Sequence, residues 1–177
     1  MKRIIGIIGG GASGKTFAGK FFASLGAGFI DCDQIVGELY DENGLGTRKI
    51  AEFFGDEFIK NSKVNRAKLG RFIAKNEKKL RILEKIMHPI VLSELQKKID
   101  KSQKELIFVE IGAPGEKFMN LCEKTIEIQA KNRKIKKKYL QQIDKFKKLP
   151  KADITIQNTF DKKSFEEKLL KTYNQLI

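Results

Sequence analysis

The stretch that decides the fold reads Gly9-Gly10-Gly11-Ala12-Ser13-Gly14-Lys15-Thr16. It fits the pattern G-x-x-x-x-G-K-[ST] of the P-loop, which binds nucleotide phosphates. Glycines let the backbone curl so that successive N–H groups point at the phosphates, with the positive end of a helix dipole behind them. In this pattern Lys15 contacts the β- and γ-phosphates of ATP, and the Thr16 hydroxyl binds Mg²⁺. The residues predicted to bind the nucleotide are Gly11, Ala12, Ser13, Gly14, Lys15, Thr16 and Phe17.

The sequence on both sides of the loop supports this interpretation. An Ile-rich run of strand length, residues 3–8, precedes the loop, and an apolar segment of helical length, residues 17–25, follows it. The glycines also match G-x-G-x-x-G, the dinucleotide-binding fingerprint, with Asp31 and Asp33 near the expected ribose position. The Lys-Thr pair directly after Gly14 counts against that alternative. A turn without a ligand is the weakest alternative, because three adjacent glycines cost backbone entropy without a packing gain.

Strand patterns and helix patterns alternate along the rest of the chain. Short apolar runs predict the strands, and segments with helical periodicity separate them. The predicted strands cover residues 3–8, 27–31, 106–109, 125–128 and 153–156. This alternation predicts a three-layer α/β fold with a five-stranded parallel sheet and helices on both faces.

The length of 177 residues predicts a single domain, residues 1–177. Helical patterns cluster in one long segment, which predicts a helical insertion at about 34–103. A short basic segment at about 131–149 is predicted to be a lid. The predicted core comprises residues 1–33, 104–130 and 150–177.

Three local patterns predict the ends of helices. Asn65 is a candidate N-cap for a helix over residues 66–75. Helical spacing runs up to His88-Pro89, where the proline predicts a helix boundary. Ser164-x-x-Glu167 predicts a capping box at the start of the last helix.

Composition and charge exclude several classes of protein. Thirteen Phe and a hydrophobic fraction of 41% supply a core, which excludes wholesale disorder. The N-terminal apolar run is too short for a secretion signal, and no apolar stretch approaches the length of a membrane span. Two cysteines, Cys32 and Cys122, are too few for a secreted disulfide framework. We therefore expect a cytoplasmic protein without a membrane partner, and a monomer or weak oligomer.

A series of further motifs runs through nearly the whole chain. They are Phe29-Ile30-Asp31-Cys32-Asp33, Phe53-Phe54-Gly55, Val64-Asn65-Arg66, Met87-His88-Pro89, Gln142 and Ala152-Asp153-Ile154-Thr155-Ile156-Gln157-Asn158. In this order they resemble the dephospho-CoA kinase family. The loop alone is generic, but the D-x-D and H-P motifs are much more specific. The resemblance implies a P-loop kinase fold that transfers the ATP γ-phosphoryl group to the ribose 3′-hydroxyl of dephospho-CoA. On this resemblance the expected product is coenzyme A, and the expected reaction is the last step of coenzyme A biosynthesis.

Phosphoryl transfer needs positioning, charge neutralisation and a carboxylate near the attacking hydroxyl. We predict Asp33 as the general base and Lys15 as the cation on the phosphates. The alternative for Asp33 is an N-cap of the helix that begins near Gln34. Asp31 is the weaker carboxylate candidate and is assigned to substrate binding.

Two residues of the predicted insertion are candidates for acceptor binding. Arg66 would hold an anionic part of the substrate through its planar guanidinium, and the alternative is a solvated surface arginine. His88, which is the only histidine, would line the acceptor site. The alternative for His88 is a structural side chain at a helix boundary.

The segment 131–148 contains nine Lys or Arg residues and one acid, Asp144. A solvated helix face accounts for part of this excess, and nucleic-acid contact is a second interpretation. Its position between the fourth and fifth strands favours a lid over the ATP phosphates, as in P-loop kinases, so we expect no nucleic-acid partner. The candidate lid cations are Arg133, Lys138 and Lys145.

This sequence departs from the family at two places. The lid is shorter and its usual arginines are not matched. Glu110-Ile111-Gly112-Ala113-Pro114-Gly115-Glu116 stands where the family has D-x-P-L-L-x-E, which leaves the roles of Glu110 and Glu116 open. Two other functions are weighed beside the leading one. They are a P-loop nucleoside or nucleotide kinase with another acceptor, and a basic NTP-dependent nucleic-acid-binding protein.

Overall fold

The computed structural model describes residues 2–74, 76–113, 115–130 and 151–177 of the chain. The chain forms two compact units. One comprises Met1–Cys32 with Lys101–Ile177, and the other is Asp33–Asp100. The predicted lid, with Arg133, Lys138 and Lys145, lies outside the described residues.

The elements alternate between strands and helices in the first unit, and helices dominate the second. In chain order they are β1 (Arg3–Ile8), α1 (Lys15–Ser24), β2 (Gly28–Asp31), α2 (Cys32–Leu39), α3 (Leu45–Phe54), a 3₁₀ turn (Asp56–Phe58), β3 (Ile59–Lys60), β4 (Lys63–Val64), α4 (Arg66–Ala74), α5 (Glu77–Lys101), β5 (Leu106–Glu110), α6 (Glu116–Met119), β6 (Lys124–Ala130), β7 (Ile154–Asn158) and α7 (Lys162–Leu176). No helix of the described residues is long and apolar enough to cross a membrane.

A five-stranded parallel sheet organises the first unit. Its strand order is β2-β5-β1-β6-β7, and all neighbouring strands run parallel. This sheet confirms the predicted α/β fold and its five strands. Because β1 is the central strand, the loop that follows it emerges at the middle of the carboxyl edge of the sheet. This edge is where ligands bind in open α/β sheets.

The main core lies between one face of the sheet and the helices α1 and α7. Ile5 and Ile7 of β1 pack there with Phe108 of β5. The Phe22 ring of α1 stacks on Phe108, with ring centroids 4.0 Å apart. The alternate side chains of β1 and β5 are buried as well. They are Ile4, Ile8, Ile107 and Val109. Both faces of the central strands are therefore buried, as expected for a parallel sheet covered on both sides.

A polar contact joins the last two strands of the sheet. Asp153 Oδ2, just before β7, accepts hydrogen bonds from Thr125 N at 2.7 Å and Thr125 Oγ1 at 3.0 Å in β6. The backbone hydrogen bond from Thr125 is the largest cause that lowers the pKa of the Asp153 carboxyl. The contact joins the start of β7 to the start of β6. It therefore lies at the opposite end of these strands from the carboxyl edge of the sheet.

The second unit contains a small hairpin that the sequence analysis did not predict. β3 and β4 pair in antiparallel fashion. Asn61 and Ser62 form the two-residue turn between them, with φ of 51° and 60°. Two consecutive positive φ angles are typical of the type I′ turn that favours hairpins. The strands are two residues long, which is too short to produce a periodic pattern in the sequence.

Two predicted helix starts have different outcomes. Asn65 Oδ1 accepts a hydrogen bond from Lys68 N at 3.0 Å, so the predicted N-cap of α4 is confirmed. The predicted capping box at Ser164 is wrong, because α7 begins at Lys162 and Asp161 is its N-cap. Asp161 accepts from Ser164 N at 3.0 Å. The Asp161 carboxylate therefore caps the backbone N–H of Ser164, which places Ser164 inside the first turn.

The predicted helix boundary at His88-Pro89 is also wrong, because α5 runs without a break from Glu77 to Lys101. A proline inside a helix costs about 3 kcal/mol through its missing N–H and its clash with a carbonyl. Four apolar side chains at helical spacing are buried along α5: Met87, Val91, Leu95 and Ile99. Burial contributes roughly 1.5–3 kcal/mol for each of them, which exceeds the cost of the proline. His88 is therefore a half-buried residue in the interior of a helix.

Candidate active site

Two glycines define the ends of the loop between β1 and α1. Gly9 has φ of 147°, and a Cβ on it would lie 2.4 Å from the carbonyl oxygen of Ile128. Gly14 has φ of 106°, and a Cβ on it would lie 2.6 Å from Asn158 Nδ2. Both positions combine a left-handed backbone with a close neighbour, so only glycine fits them. The loop is thus held against β6 at one end and against β7 at the other.

Neighbouring glycines of the loop are expected to respond differently to alanine. Gly10 has nothing within 4 Å of an added Cβ and does not have a left-handed φ. We expect Gly9→Ala to lower the free energy of unfolding by about 1–3 kcal/mol and Gly10→Ala to change it by less than about 0.5 kcal/mol. Urea denaturation of both variants measures the difference. Equal losses would contradict the close approach of Gly9 to β6.

Lys15, the first residue of α1, extends back over the loop. Its Nζ donates hydrogen bonds to the carbonyl oxygens of Gly9 and Gly10, both at 3.2 Å. The same nitrogen lies 3.8 Å from Glu110 Oε1, and both side chains are at least nine-tenths buried. The ammonium group is therefore held above the loop backbone, where a phosphate oxygen would meet a concentrated positive charge.

Two carboxylates lie in one row at the carboxyl edge of the sheet. Glu110 ends β5, and it pairs in register with Asp31 of β2 on one side and Ile7 of β1 on the other. Residues paired across parallel strands project to the same face. Ile7 belongs to the core under α1 and α7. Asp31 and Glu110 therefore face the side of the sheet that carries the loop and Lys15.

The start of α1 presents polar and aromatic groups beside the loop. Gly14 is the N-cap of α1, and no side chain caps the helix. Thr16 is exposed in the first turn. Phe17 is 37% exposed, and its ring stacks on Phe165 of α7 with centroids 5.7 Å apart. The predicted nucleotide-binding residues are thus brought together at one helix N-terminus.

Two residues near the loop were not assigned a role from the sequence. Asn158, at the end of β7, is buried and donates to the carbonyl oxygen of Ser13 at 2.8 Å. It is the last residue of the motif at residues 152–158, which was the only signal for it in the sequence. Glu110, whose role the sequence left open, contacts Lys15. Glu116 is exposed at the start of α6.

Asp33 lies in the first turn of α2, two residues after the end of β2. Its side chain is exposed. The alternative of an N-cap is wrong, because α2 begins at Cys32 and Asp33 is already helical. An acidic residue in a first turn is stabilised by the positive end of the helix dipole. Asp33 is thus an exposed carboxylate that lies close to the end of a sheet strand.

Arg66 lies along the face of α2 that carries Asp33. Its guanidinium carbon is 5.9 Å from the centre of the Tyr40 ring, and its Nη1 would be 3.8 Å from a Cβ on Gly37. Asp33 and Gly37 are four residues apart, so they share one helix face. Burial raises the pKa of the Tyr40 hydroxyl to about 12, with Arg66 acting in the opposite direction. The second unit therefore places an exposed cation and an exposed carboxylate on one side of α2.

The predicted site residues fall into two sets. The structure assembles the loop, Lys15 and Asp31 in the first unit, joined by Glu110. Asp33 and Arg66 come together in the second unit, on one side of α2. His88 lies in α5 of the same unit, and its role at an acceptor site stays a prediction.

The fold and the loop together define a class of protein. A P-loop between the central first strand and the first helix of a five-stranded parallel sheet, with a lysine over the loop, is the arrangement of P-loop kinases. Residues 3–140 match the dephospho-CoA kinase family. The chain belongs to the dephospho-CoA kinase family.

Individual relatives agree with this assignment. The dephospho-CoA kinase of Carboxydothermus hydrogenoformans is 37% identical over 97 residues, which is 54% of this chain and 47% of that protein. The chain thus spans about half the length of the curated relatives it matches. The solved structure of dephospho-CoA kinase from Campylobacter jejuni superimposes with a TM-score of 0.73 at 29% identity, covering 99% of this chain and 98% of that one. A Thermus thermophilus protein of 21% identity superimposes with a TM-score of 0.80 over 99% and 98% of the two chains, which shows the shared fold.

Proposed function

We propose that the protein transfers the γ-phosphoryl group of ATP to the ribose 3′-hydroxyl of dephospho-CoA, giving coenzyme A and ADP. The observation that carries the proposal is the loop of residues 9–16 with the Lys15 ammonium over its backbone, in a chain whose residues 3–140 match the family. The proposed nucleotide-binding residues belong to the first unit, and the proposed acceptor residues Asp33, Arg66 and His88 belong to the second.

The nucleotide phosphates are bound by the loop and the start of α1. The first N–H groups of a helix have no partner within the helix. No side chain caps α1, so these groups are available to phosphate oxygens. Lys15 adds its positive charge at the β- and γ-phosphates, and the buried Glu110 beside it keeps the ammonium in place. These features support the nucleotide-binding role of Gly11 to Phe17.

The donor set at the loop fits a Mg²⁺ ion carried in with ATP. Mg²⁺ uses one or two protein oxygens and completes its shell with phosphates and water. The Thr16 hydroxyl and the carboxylates of Glu110 and Asp31 are oxygen ligands of this kind, and we propose that Thr16 holds the ion. Among the described residues there is no cluster of three or more His, Cys, Asp or Glu side chains for a metal. The ion supplies neutralisation of phosphate charge when bound.

Asp33 is the proposed general base. The 3′-hydroxyl oxygen forms a bond to the γ-phosphorus, the bond from that phosphorus to the β–γ bridging oxygen breaks, and ADP leaves. The hydroxyl proton passes to the Asp33 carboxylate. The exposure of Asp33 and its place two residues after the end of β2 support this role. Arg66, on the same side of α2, is proposed to bind an anionic group of the acceptor, and His88 is proposed to line the same site.

The proposed lid supplies the remaining positive charge. Arg133, Lys138 and Lys145 are proposed to close over the ATP phosphates. Lysine neutralises charge but does not bind two oxygens at once as arginine does. We also propose a cytoplasmic location, because two cysteines are too few for a secreted disulfide framework.

Mass spectrometry of the reaction products tests the proposal. The purified protein is incubated with ATP, Mg²⁺ and dephospho-CoA, and we expect coenzyme A and ADP in equal amounts. Parallel reactions replace dephospho-CoA with nucleosides or nucleoside monophosphates. Faster phosphorylation of one of those acceptors would support the nucleotide-kinase alternative and overturn the proposal. Binding to generic DNA that survives about 200 mM salt would support the nucleic-acid alternative.

A further inference from the structure

Asn158 connects the last strand of the sheet to the phosphate loop. It is the final residue of β7 and is 6% exposed. Its Nδ2 donates to the carbonyl oxygen of Ser13 at 2.8 Å, and its Oδ1 accepts from Phe160 N at 2.9 Å. The two ends of one buried amide therefore hold two separate backbone segments.

The bond to Ser13 orients an N–H group of the loop. The Ser13 carbonyl and the Gly14 N–H belong to the same peptide group, and the described residues contain no cis peptide. In a trans peptide the C=O and N–H bonds point in opposite directions. Because Asn158 holds the carbonyl, the Gly14 N–H is directed away from β7. N–H groups of this loop are the ones that bind phosphate oxygens in the P-loop pattern.

Both segments held by Asn158 have unusual backbone conformations. Gly14 has φ of 106°, and Phe160 has φ of 65° although it is not a glycine. A left-handed residue of this kind persists when the surrounding structure holds it there. A Cβ on Gly14 would lie 2.6 Å from Asn158 Nδ2, so the amide packs directly on the loop. The loop shape therefore depends on a side chain that lies 145 residues away in the sequence.

Ser13 provides a second sign that the loop is arranged for a ligand. Its side chain is 2% exposed, and its Oγ has no hydrogen-bond partner in the part of the chain that the structure describes. A buried hydroxyl without a partner costs free energy. Asn158 holds the carbonyl of this same residue, so the strand end and the loop are organised together.

We infer that Asn158 is a positioning residue for ATP binding, acting through the Ser13–Gly14 peptide. This inference rests on the proposed ATP-dependent function and deepens it. Loss of the Asn158 amide lets the Ser13–Gly14 peptide rotate, which removes one phosphate-binding N–H. The affinity for ATP falls, whereas the acceptor site is untouched.

Two variants separate the contacts of Asn158. Asn158→Asp keeps an oxygen for Phe160 N and loses the donor to Ser13. Asn158→Leu keeps the branched shape of the side chain with larger end groups, carries no charge and loses both contacts. Thr125→Val is the matched control, because it removes a buried side-chain donor from β6 to Asp153 without touching the loop. An effect shared by the Asp and Leu variants cannot come from the Asp charge.

Titration with a fluorescent ATP analogue measures the Kd and the binding stoichiometry, and steady-state kinetics measures KM for both substrates. We expect both Asn158 variants to raise the Kd and KM for ATP about tenfold, the effect of one buried hydrogen bond. KM for dephospho-CoA is expected to stay within about twofold. Thr125→Val is expected to lower Tm and to leave the Kd for ATP unchanged.

A merely structural role for Asn158 would give a different result. The variants would then lose Tm and binding stoichiometry, while their folded fraction would bind ATP with the wild-type Kd, and the inference would be overturned. If the Leu variant does not fold, Asn158→Ala, which is smaller, carries no charge and also loses both contacts, decides by the same Kd. Wild-type protein that binds ATP but forms no coenzyme A would refute the proposed acceptor and leave the Asn158 comparison intact. Wild-type protein that does not bind ATP would overturn both.

Discussion

Lys15→Ala is expected to lower kcat/KM for the formation of coenzyme A by at least about 10³-fold. The Lys15 ammonium is held over the loop by the carbonyls of Gly9 and Gly10. We propose that at this place it meets the β- and γ-phosphates and neutralises charge as the phosphoryl group moves. Alanine removes this charge, and water does not replace it in a buried position. Initial rates with varied ATP and saturating dephospho-CoA measure the loss.

Stability must be separated from catalysis in this variant, because Lys15 lies 3.8 Å from the buried Glu110 carboxylate. Removing one partner of a buried pair costs about 3–5 kcal/mol, against a total stability of about 5–15 kcal/mol for most domains. The double variant Lys15→Met with Glu110→Gln removes both charges and is expected to recover the Tm without recovering activity. Lys20→Ala removes an exposed lysine from the same helix and is expected to keep the wild-type rate.

A wild-type rate for folded Lys15→Ala would refute the assignment of the loop as an ATP site. A loss of activity that the double variant reverses would show that Lys15 acts through stability alone. The comparison therefore distinguishes a catalytic cation from a structural one.

Asp33→Asn is expected to lower turnover by about 10²–10⁴-fold and to leave the Kd for ATP unchanged. The amide keeps the size of the side chain but does not accept the proton of the 3′-hydroxyl. Asp33 lies outside the loop that we propose binds the nucleotide, in the second unit of the chain, so we expect no change in ATP affinity. Single-turnover rates with bound ATP, combined with ATP titrations, measure the two effects.

Asp31→Asn is the matched comparison for Asp33→Asn. Asp31 is the first aspartate of the D-x-D motif, and it pairs in register with Glu110 in the sheet. It is the weaker candidate for the base, and we expect its substitution to lower turnover less than that of Asp33. A larger loss for Asp31→Asn would transfer the role of base to Asp31. Unchanged turnover in Asp33→Asn would remove Asp33 from the mechanism.

The strands were predictable because they are local and strongly patterned. The run at residues 3–8 predicted β1 with its observed bounds, since a buried parallel strand is a continuous apolar segment. The hairpin of β3 and β4 was not predictable, because two-residue strands carry no periodicity. Pro89 misled the prediction for α5, because a local rule does not count the four buried side chains that stabilise the helix across it.

Some residues of the candidate site were likewise predictable from local sequence, and others were not. Lys15, Thr16 and Phe17 were predicted from consecutive residues, and the structure places them together at one helix start. Asn158 and the role of Glu110 were not, because each depends on a partner far away in the sequence. The N-cap alternative for Asp33 is wrong because α2 begins before Asp33 rather than after it. Sequence patterns locate the first residue of a helix only to within a few residues.

By itself, the sequence determined that a phosphate-binding loop follows the first strand of a parallel α/β sheet. Eight consecutive residues carry that information, so a single continuous stretch of sequence was enough to predict the loop. Only the tertiary structure decided that Glu110 meets Lys15 and that Asn158 holds Ser13. The order and register of the strands bring these residues together, and they arise from packing across the whole sheet rather than from any local pattern.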